Sequence, residues 1–210
     1  MKEFMMARVQ NASGATKSRR NRDAEIVNAA TAVFSQKGYS AASLQDIADR
    51  VGILKGSLYH YISSKESLLF RILQTSHQEA EALMVSVDAL DQLPEEKFLT
   101  FIERLSIWYL ENSEKASLSQ KEWRSLQGEN AQIVRDQRRA LRSYLSDQIA
   151  GATRQGLTRP DLDTELATQF ILSAIGSIPT WHQTSSPANT LVVGQEVANL
   201  ARSVVFRSNL

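Results

Sequence analysis

Apolar residues recur at helical spacing through nearly the whole chain, and the breaks between the runs predict where each helix stops. Ile26, Ala29, Ala30, Val33 and Phe34 fall on one face of a first helix, which Gly38 ends. Ser43 caps a second helix containing Leu44, Ile47 and Val51, and a third is expected from about Leu54 to Tyr61. Ser63 and Glu66 read as N-cap and N3 of a capping box that opens a long helix through Leu68, Leu69, Ile72 and Leu73 toward Val87. Pro94 starts a helix carrying Phe98, Phe101, Ile102, Leu105, Ile107, Trp108 and Tyr109. A shorter helix with Leu118 and Trp123 follows Asn112-Ser113, and a long amphipathic one spans about 130–155, ended by Gly156. After the polar corner RPDLD, helices are expected at 164–181 and, behind Ser186-Pro187, through Leu191, Val197, Leu200 and Val205. That makes nine, three small and N-terminal, six larger and C-terminal. Residues 1–18 show no periodicity and read as a mobile arm.

Composition agrees with this pattern. Gly and Pro are few and β-branched residues are scattered, so the expected class is all-α: a three-helix N-terminal domain plus a larger helical domain. The divisions expected are an arm at 1–20, a small domain at 21–66 and the larger one at 67–210. There is no Cys, which removes disulfides and thiolate metal sites. Apolar runs are too short to span a bilayer and the N-terminus lacks a signal-peptide core, so a cytoplasmic protein without a membrane partner is expected.

The net charge of +1 conceals an asymmetry. Residues 1–65 hold ten Lys/Arg against five Asp/Glu, or +5, leaving −4 for the remainder. The positive field thus lies with the stretch SLQDIADRVGILKGSLYHYISSK, residues 43–65. Ala48, Gly52 and Leu58 have the spacing of a tight bihelical corner: a small residue where helices approach, a glycine for the turn's positive φ, and an apolar anchor on the second helix. The outward residues of that second helix are Lys55, Gly56, Ser57, Tyr59 and His60, small, polar or basic side chains suited to a DNA groove. Lys65 falls in the first turn of the next helix, where free N–H groups favour an anion.

These residues carry a resemblance. IVNAATAVFSQKGYSAASLQDIADRVGILKGSLYHYISSKESLL is similar, almost without gaps, to the DNA-binding domain of TetR-type (tetracycline-repressor-like) transcriptional regulators. The resemblance implies a homodimer with a four-helix interface, an effector pocket in the C-terminal core, and double-stranded operator DNA as partner. It also implies that Tyr59 touches the DNA backbone, that Tyr61 stands beside it, and that Lys65 grips a phosphate. Core packing is an equal reading for Tyr61, which occupies an apolar position. Lys55 suits guanine O6/N7 or, alternatively, a phosphate. Leu54 suits a thymine methyl, Ser57 a base or phosphate, His60 the backbone, and Ser43 both a cap and a phosphate donor. Arg19, Arg20 and Arg22 read as a minor-groove arm or a solvated tail.

The fragment GATRQGLTRPDLD is similar to a corner in TetR-type regulators of lipid and steroid degradation, several of which respond to acyl-CoA thioesters. The resemblance implies a small-molecule effector such as an acyl-CoA. Candidate ligand residues are the aromatics Trp108, Trp123, Phe170 and Trp181, otherwise core or dimer seam, and Arg138 with Arg142, four apart on one helix. Those arginines read either as an anion clamp or as a solvated face with Glu129 and Asp136. His60, His77 and His182 are dispersed, and no phosphate-binding loop, dinucleotide fingerprint, nucleophile elbow or metal box occurs, so neither enzyme, cofactor nor metal is expected. The functional expectation is a ligand-responsive repressor. A nonspecific architectural DNA-binding protein, or an activator of the same fold, stand as alternatives.

Overall fold

The computed structural model describes residues 21–182 and 187–207. Nine α-helices are present among them: α1 (21–37), α2 (Leu44–Val51), α3 (Lys55–Leu58), α4 (Lys65–Asp88), α5 (Pro94–Glu111), α6 (Ser113–Lys121), α7 (Gly128–Arg154), α8 (Thr164–Trp181) and α9 (Pro187–Val205). No strand is present among the described residues, only one isolated bridge between Thr158 and Phe206. No described helix is long and apolar enough to cross a membrane. The chain divides between Ile72 and Leu73, inside α4, into two compact units.

The N-terminal unit closes over Ile26, Ala30, Val33, Phe34, Ile47, Ala48, Leu58, Leu68 and Leu69, all buried. Phe34 is central, as its sequence position suggests, with the Tyr39 ring edge-on at 5.2 Å. Leu44 and Ile53 are only half-buried; Ile62, which the pattern did not single out, is buried instead of Tyr61. Arg71 on α4 pairs with Asp23 on α1.

The C-terminal unit is built around α5, whose Phe98, Phe101, Ile102 and Leu105 are buried against α8 and α9. Leu145 and Ile149 of α7, Ile171, Ile175 and Ile178 of α8, and Val205 complete this core. The corner after α7 is tied to the chain's far end. Arg159 N–H donates to Val205 O (3.1 Å), Arg207 N–H to Leu157 O (3.2 Å), and Arg207 Nε to Thr158 O (2.8 Å). Asp163 then caps α8 by accepting from Leu166 N–H at 2.9 Å. Ser186, the expected cap of α9, lies outside the described residues, as do Arg19 and Arg20.

Candidate nucleic-acid interface and effector cavity

In the N-terminal unit the Ser43 hydroxyl caps α2, accepting from Asp46 N–H at 3.2 Å and donating to its carboxylate at 2.7 Å. Lys37 reaches the same carboxylate at 2.6 Å. That ammonium, followed by the Ser43 hydroxyl and N–H, holds the Asp46 carboxyl down to about 2. The start of α2 thus already carries an anion of its own, and the Ser43 side chain is committed to it. The turn after α2 depends on Gly52 at φ 74°, which lets Ile53 N–H reach back to Ala48 O (3.0 Å).

The expected third helix of about eight residues is shorter. Regular α-helix covers only Lys55–Leu58. Leu54 offers no side-chain cap and Gly56 has low helix propensity, so the chain tightens past Leu58 into a turn with Tyr61 N–H on Leu58 O (2.8 Å). Leu58 is fully buried and anchors the element. Leu54 (80% exposed), Lys55, Gly56, Tyr59 and His60 face outward, while Ser57 and Tyr61 are half-buried. Arg22 is part of α1, where it pairs with Glu25 at 2.8 Å, and does not belong to an N-terminal arm.

The box at the start of α4 is also shifted by one residue. Ser64, not Ser63, is the cap: its hydroxyl accepts from Ser67 N–H (3.0 Å), and its own N–H donates to Ser67 Oγ (3.1 Å). Serine at N3 reciprocates where Glu66 was expected. Lys65 opens the helix and turns its ammonium toward the chain following α1, donating to Tyr39 O and Ala42 O at 2.8 Å and to Ser40 O at 3.3 Å. It also lies 4.6 Å from the Tyr39 ring centre.

The C-terminal unit encloses a cavity of about 410 Å³ between α4, α5, α6, α7 and α8. Its apolar wall is Ala80, Leu105, Trp108, Leu141 and Leu172. Five arginines, Arg124, Arg135, Arg138, Arg139 and Arg142, line it, and no Asp or Glu does. Four of them are exposed; Arg138 is half-buried, donating to Ser119 O (2.9 Å) and Gln120 Oε1 (3.4 Å). The guanidinium groups of Arg124 and Arg138 lie 4.2 and 5.0 Å from the Trp123 ring centre. Burial, with Arg124 and Arg142 nearby, lowers the Arg138 pKa. A solvated face is therefore the wrong description of Arg138, because the side chain is folded inward over Trp123. Burial first, then the Arg138 charge, pulls His77 down to about 4, so its imidazole is neutral at pH 7. Behind Trp108, Glu79 accepts from the indole N–H (2.9 Å) and from Lys115 (3.0 Å), which fixes the ring.

Trp108, Trp123, Arg138 and Arg142 thus line one cavity. Trp123 sits in a single 3₁₀ turn after α6 rather than within it. Phe170 and Trp181 are not cavity residues. Gln169, Leu172 and Ser173 present the α8 face that lines it, while Leu166, Phe170 and Trp181 are exposed (67, 58 and 57%). His77, Tyr109, Ser119 and Gln120 were missed. The arginine stripe was legible from its i, i+3, i+4, i+7 spacing on α7, but nothing in the sequence marks Ser119 or Gln120. Among the described residues, no group of three His, Cys, Asp or Glu could hold a metal.

Comparison with known proteins places this geometry. Residues 26–72 match the family described as bacterial regulatory proteins, tetR family, and residues 91–205 match the tetracyclin repressor-like C-terminal domain. The HTH-type transcriptional repressor KstR2 of Mycobacterium tuberculosis is 26% identical over 190 residues, 88% of this chain and 91% of its own. The solved structure of the ketosteroid transcriptional regulator KstR2 of that organism superposes with a TM-score of 0.83 at 24% identity, covering 89% of this chain and 96% of the other. AibR, solved in complex with isovaleryl coenzyme A and operator DNA, gives 0.76 at 22% identity, covering 87% and 97%. A bihelical corner with an exposed second helix, joined in one chain to a helical domain that matches over more than half the length, makes this protein a member of the TetR family of transcriptional regulators, a class without enzymatic activity.

Proposed function

We propose that the protein is a repressor that binds a pseudo-palindromic operator as a homodimer and is released by an anionic effector, an acyl-CoA thioester. Supporting the effector is one observation above all: an apolar cavity lined by five arginines and no acid. Guanidinium forks suit phosphates, and the Leu105, Trp108 and Leu172 wall suits an acyl chain. AibR's complex with isovaleryl coenzyme A is a precedent in the same fold.

On the DNA side, Leu54, Lys55, Gly56 and Ser57 would read base edges, with Tyr59, His60 and Tyr61 on the backbone. Ser43 would contribute through the helix terminus it caps, and Lys65 through the turn at 39–42 that it holds in place. The dimer seam would be α8 and α9, whose Leu166, Phe170, Trp181, Leu191, Val192 and Leu200 leave an apolar surface exposed in the single chain. Such a protein would work on DNA in the cytoplasm. The effector shifts the equilibrium between conformers only by its differential affinity for them.

Gel-shift titration on an operator recovered by selection from random duplexes tests the proposal. Acyl-CoA should dissociate the complex, and Arg142→Ala should raise the concentration required while leaving ligand-free affinity intact. Equal response in wild type and variant would remove Arg142 and the anion-clamp reading. Lys55→Ala should relax preference at one base pair in each half-site; an unaltered preference at every position would remove Lys55 from base reading.

A further inference from the structure

Five arginines line the cavity, yet their surroundings divide them into two kinds. Arg124, Arg135, Arg139 and Arg142 are exposed. Arg135 donates to Gln132 Oε1 on its own helix (2.8 Å), Arg139 pairs with Asp136 one turn away (3.1 Å), and Arg142 approaches Glu165 at 3.8 Å. Solvated partners of this kind are exchanged for a phosphate at little cost, because water satisfies whatever the guanidinium leaves behind.

Arg138 is held differently. It is half-buried, and its Nη1 donates to a backbone carbonyl, Ser119 O, at 2.9 Å. Ser119 lies in the last turn of α6, where carbonyls have no N–H donor from their own helix and a cation opposes the negative end of the helix dipole. Nη2 faces Gln120 Oε1 at 3.4 Å, and the guanidinium centre lies 5.0 Å from the ring centre of Trp123, in the 3₁₀ turn that follows α6. One side chain of α7 thus ties down the end of α6 and seats an indole that borders the cavity. Swinging this guanidinium onto a phosphate would strip a partly buried carbonyl of its donor and release the ring, a cost that the exposed arginines do not carry.

We infer that Arg138 is a positioning residue of the effector site, holding Trp123 and the end of α6 as a fixed wall for the uncharged part of the thioester and leaving the phosphates to the exposed arginines. The inference rests on the acyl-CoA reading above and divides the work among the arginines within it. Charge alone does not suffice for this task. A lysine at position 138 keeps the charge but neither the planar stack on an indole nor the forked donation to two acceptors.

Calorimetric titration of the full chain with butyryl and octanoyl thioesters separates the two tasks. Each acyl group is presented once on coenzyme A and once on pantetheine, which carries no phosphate. Arg138→Met and Arg138→Lys should weaken a coenzyme A ester and its pantetheine partner by the same factor, about fivefold or more, so that their affinity ratio keeps its wild-type value. Arg142→Ala should weaken the coenzyme A ester alone, and the ratio should fall. Trp123→Ala should weaken the pantetheine ester as Arg138→Met does, and the double variant no further, because the guanidinium acts through the ring. A loss confined to the coenzyme A ester in Arg138→Met and restored by Arg138→Lys would make Arg138 a phosphate ligand and overturn the inference. Unchanged binding of both esters by both Arg138 variants, or additive losses in the double variant, overturns it as well. So does a wild type that binds coenzyme A esters but neither pantetheine ester, with the acyl-CoA reading left in place. Failure of both coenzyme A esters to bind the wild type overturns both.

Discussion

The Lys65 ammonium donates to the Ala42 carbonyl at 2.8 Å, 23 residues back along the chain. With Tyr39 O and Ser40 O as its other acceptors, all three ammonium hydrogens are used to fasten the segment between α1 and α2 to the first turn of α4. The residue thereby positions the helix-turn-helix from within its own unit. Lys65→Ala should weaken operator binding at every sequence and lower unfolding stability by roughly 1–3 kcal/mol, the worth of charged hydrogen bonds to partly buried carbonyls. Because the ammonium is turned inward, the dependence of log K on log salt should keep its slope; a slope smaller by about one would place Lys65 on a phosphate instead. Urea titration and gel shifts over a salt series measure the two effects separately.

Gly52 holds φ at 74°, a region where a Cβ meets the following carbonyl. Gly52→Ala adds no clash with neighbouring atoms, since nothing lies within 4 Å of the new carbon, so the cost is backbone strain alone. A loss of about 1–2 kcal/mol is expected, with operator affinity falling as the corner opens. An unchanged urea midpoint would show that the turn tolerates the residue.

His77 gives stability a defined pH dependence. Its pKa drops from the usual 6.5 to about 4 in the folded protein. Between these values the unfolded chain binds a proton that the folded one excludes, so stability declines as pH falls from 6.5 toward 4 and this contribution levels off below. The whole change is about 3 kcal/mol at most. Asp46 acts in a separate window, its support disappearing only as pH falls from 3.8 toward 2. His77→Gln should flatten the curve between pH 6.5 and 4 specifically. Parallel curves for the two proteins in chemical denaturation would contradict the assignment.

Leu200 on α9 and Phe170 on α8 are 67 and 58% exposed in the single chain. A charge at either position should be harmless to an isolated subunit and disruptive to a dimer seam. Sedimentation of Leu200→Arg and Phe170→Arg should show monomers with unchanged helical circular dichroism and operator affinity lower by an order of magnitude or more. A dimer persisting in both variants would move the seam elsewhere.

The helix-turn-helix was readable because its constraints are local. Gly52 must take a positive φ, Ala48 and Leu58 must be buried, and Ser43 must cap, and each of these is a property of one residue type at one position. Two local expectations failed: Ser63 was expected as the cap and Tyr61 as a candidate core residue, and the neighbouring Ser64 and Ile62 hold those places. Ser67 decided the first by returning a hydrogen bond to Ser64, and packing decided the second.

The amino-acid order by itself determined the all-α class, the bihelical corner, the positive N-terminal charge and the arginine stripe of α7, because helical periodicity and charge spacing are written within one or two turns. Only the folded chain decided that Arg138 bends inward over Trp123, that Phe170 and Trp181 lie outside the cavity, and that Gln120 donates to Tyr109 while packing against Gly176. Those relationships join different helices, and they depend on which face each helix turns inward, a choice made by the packing of the whole unit.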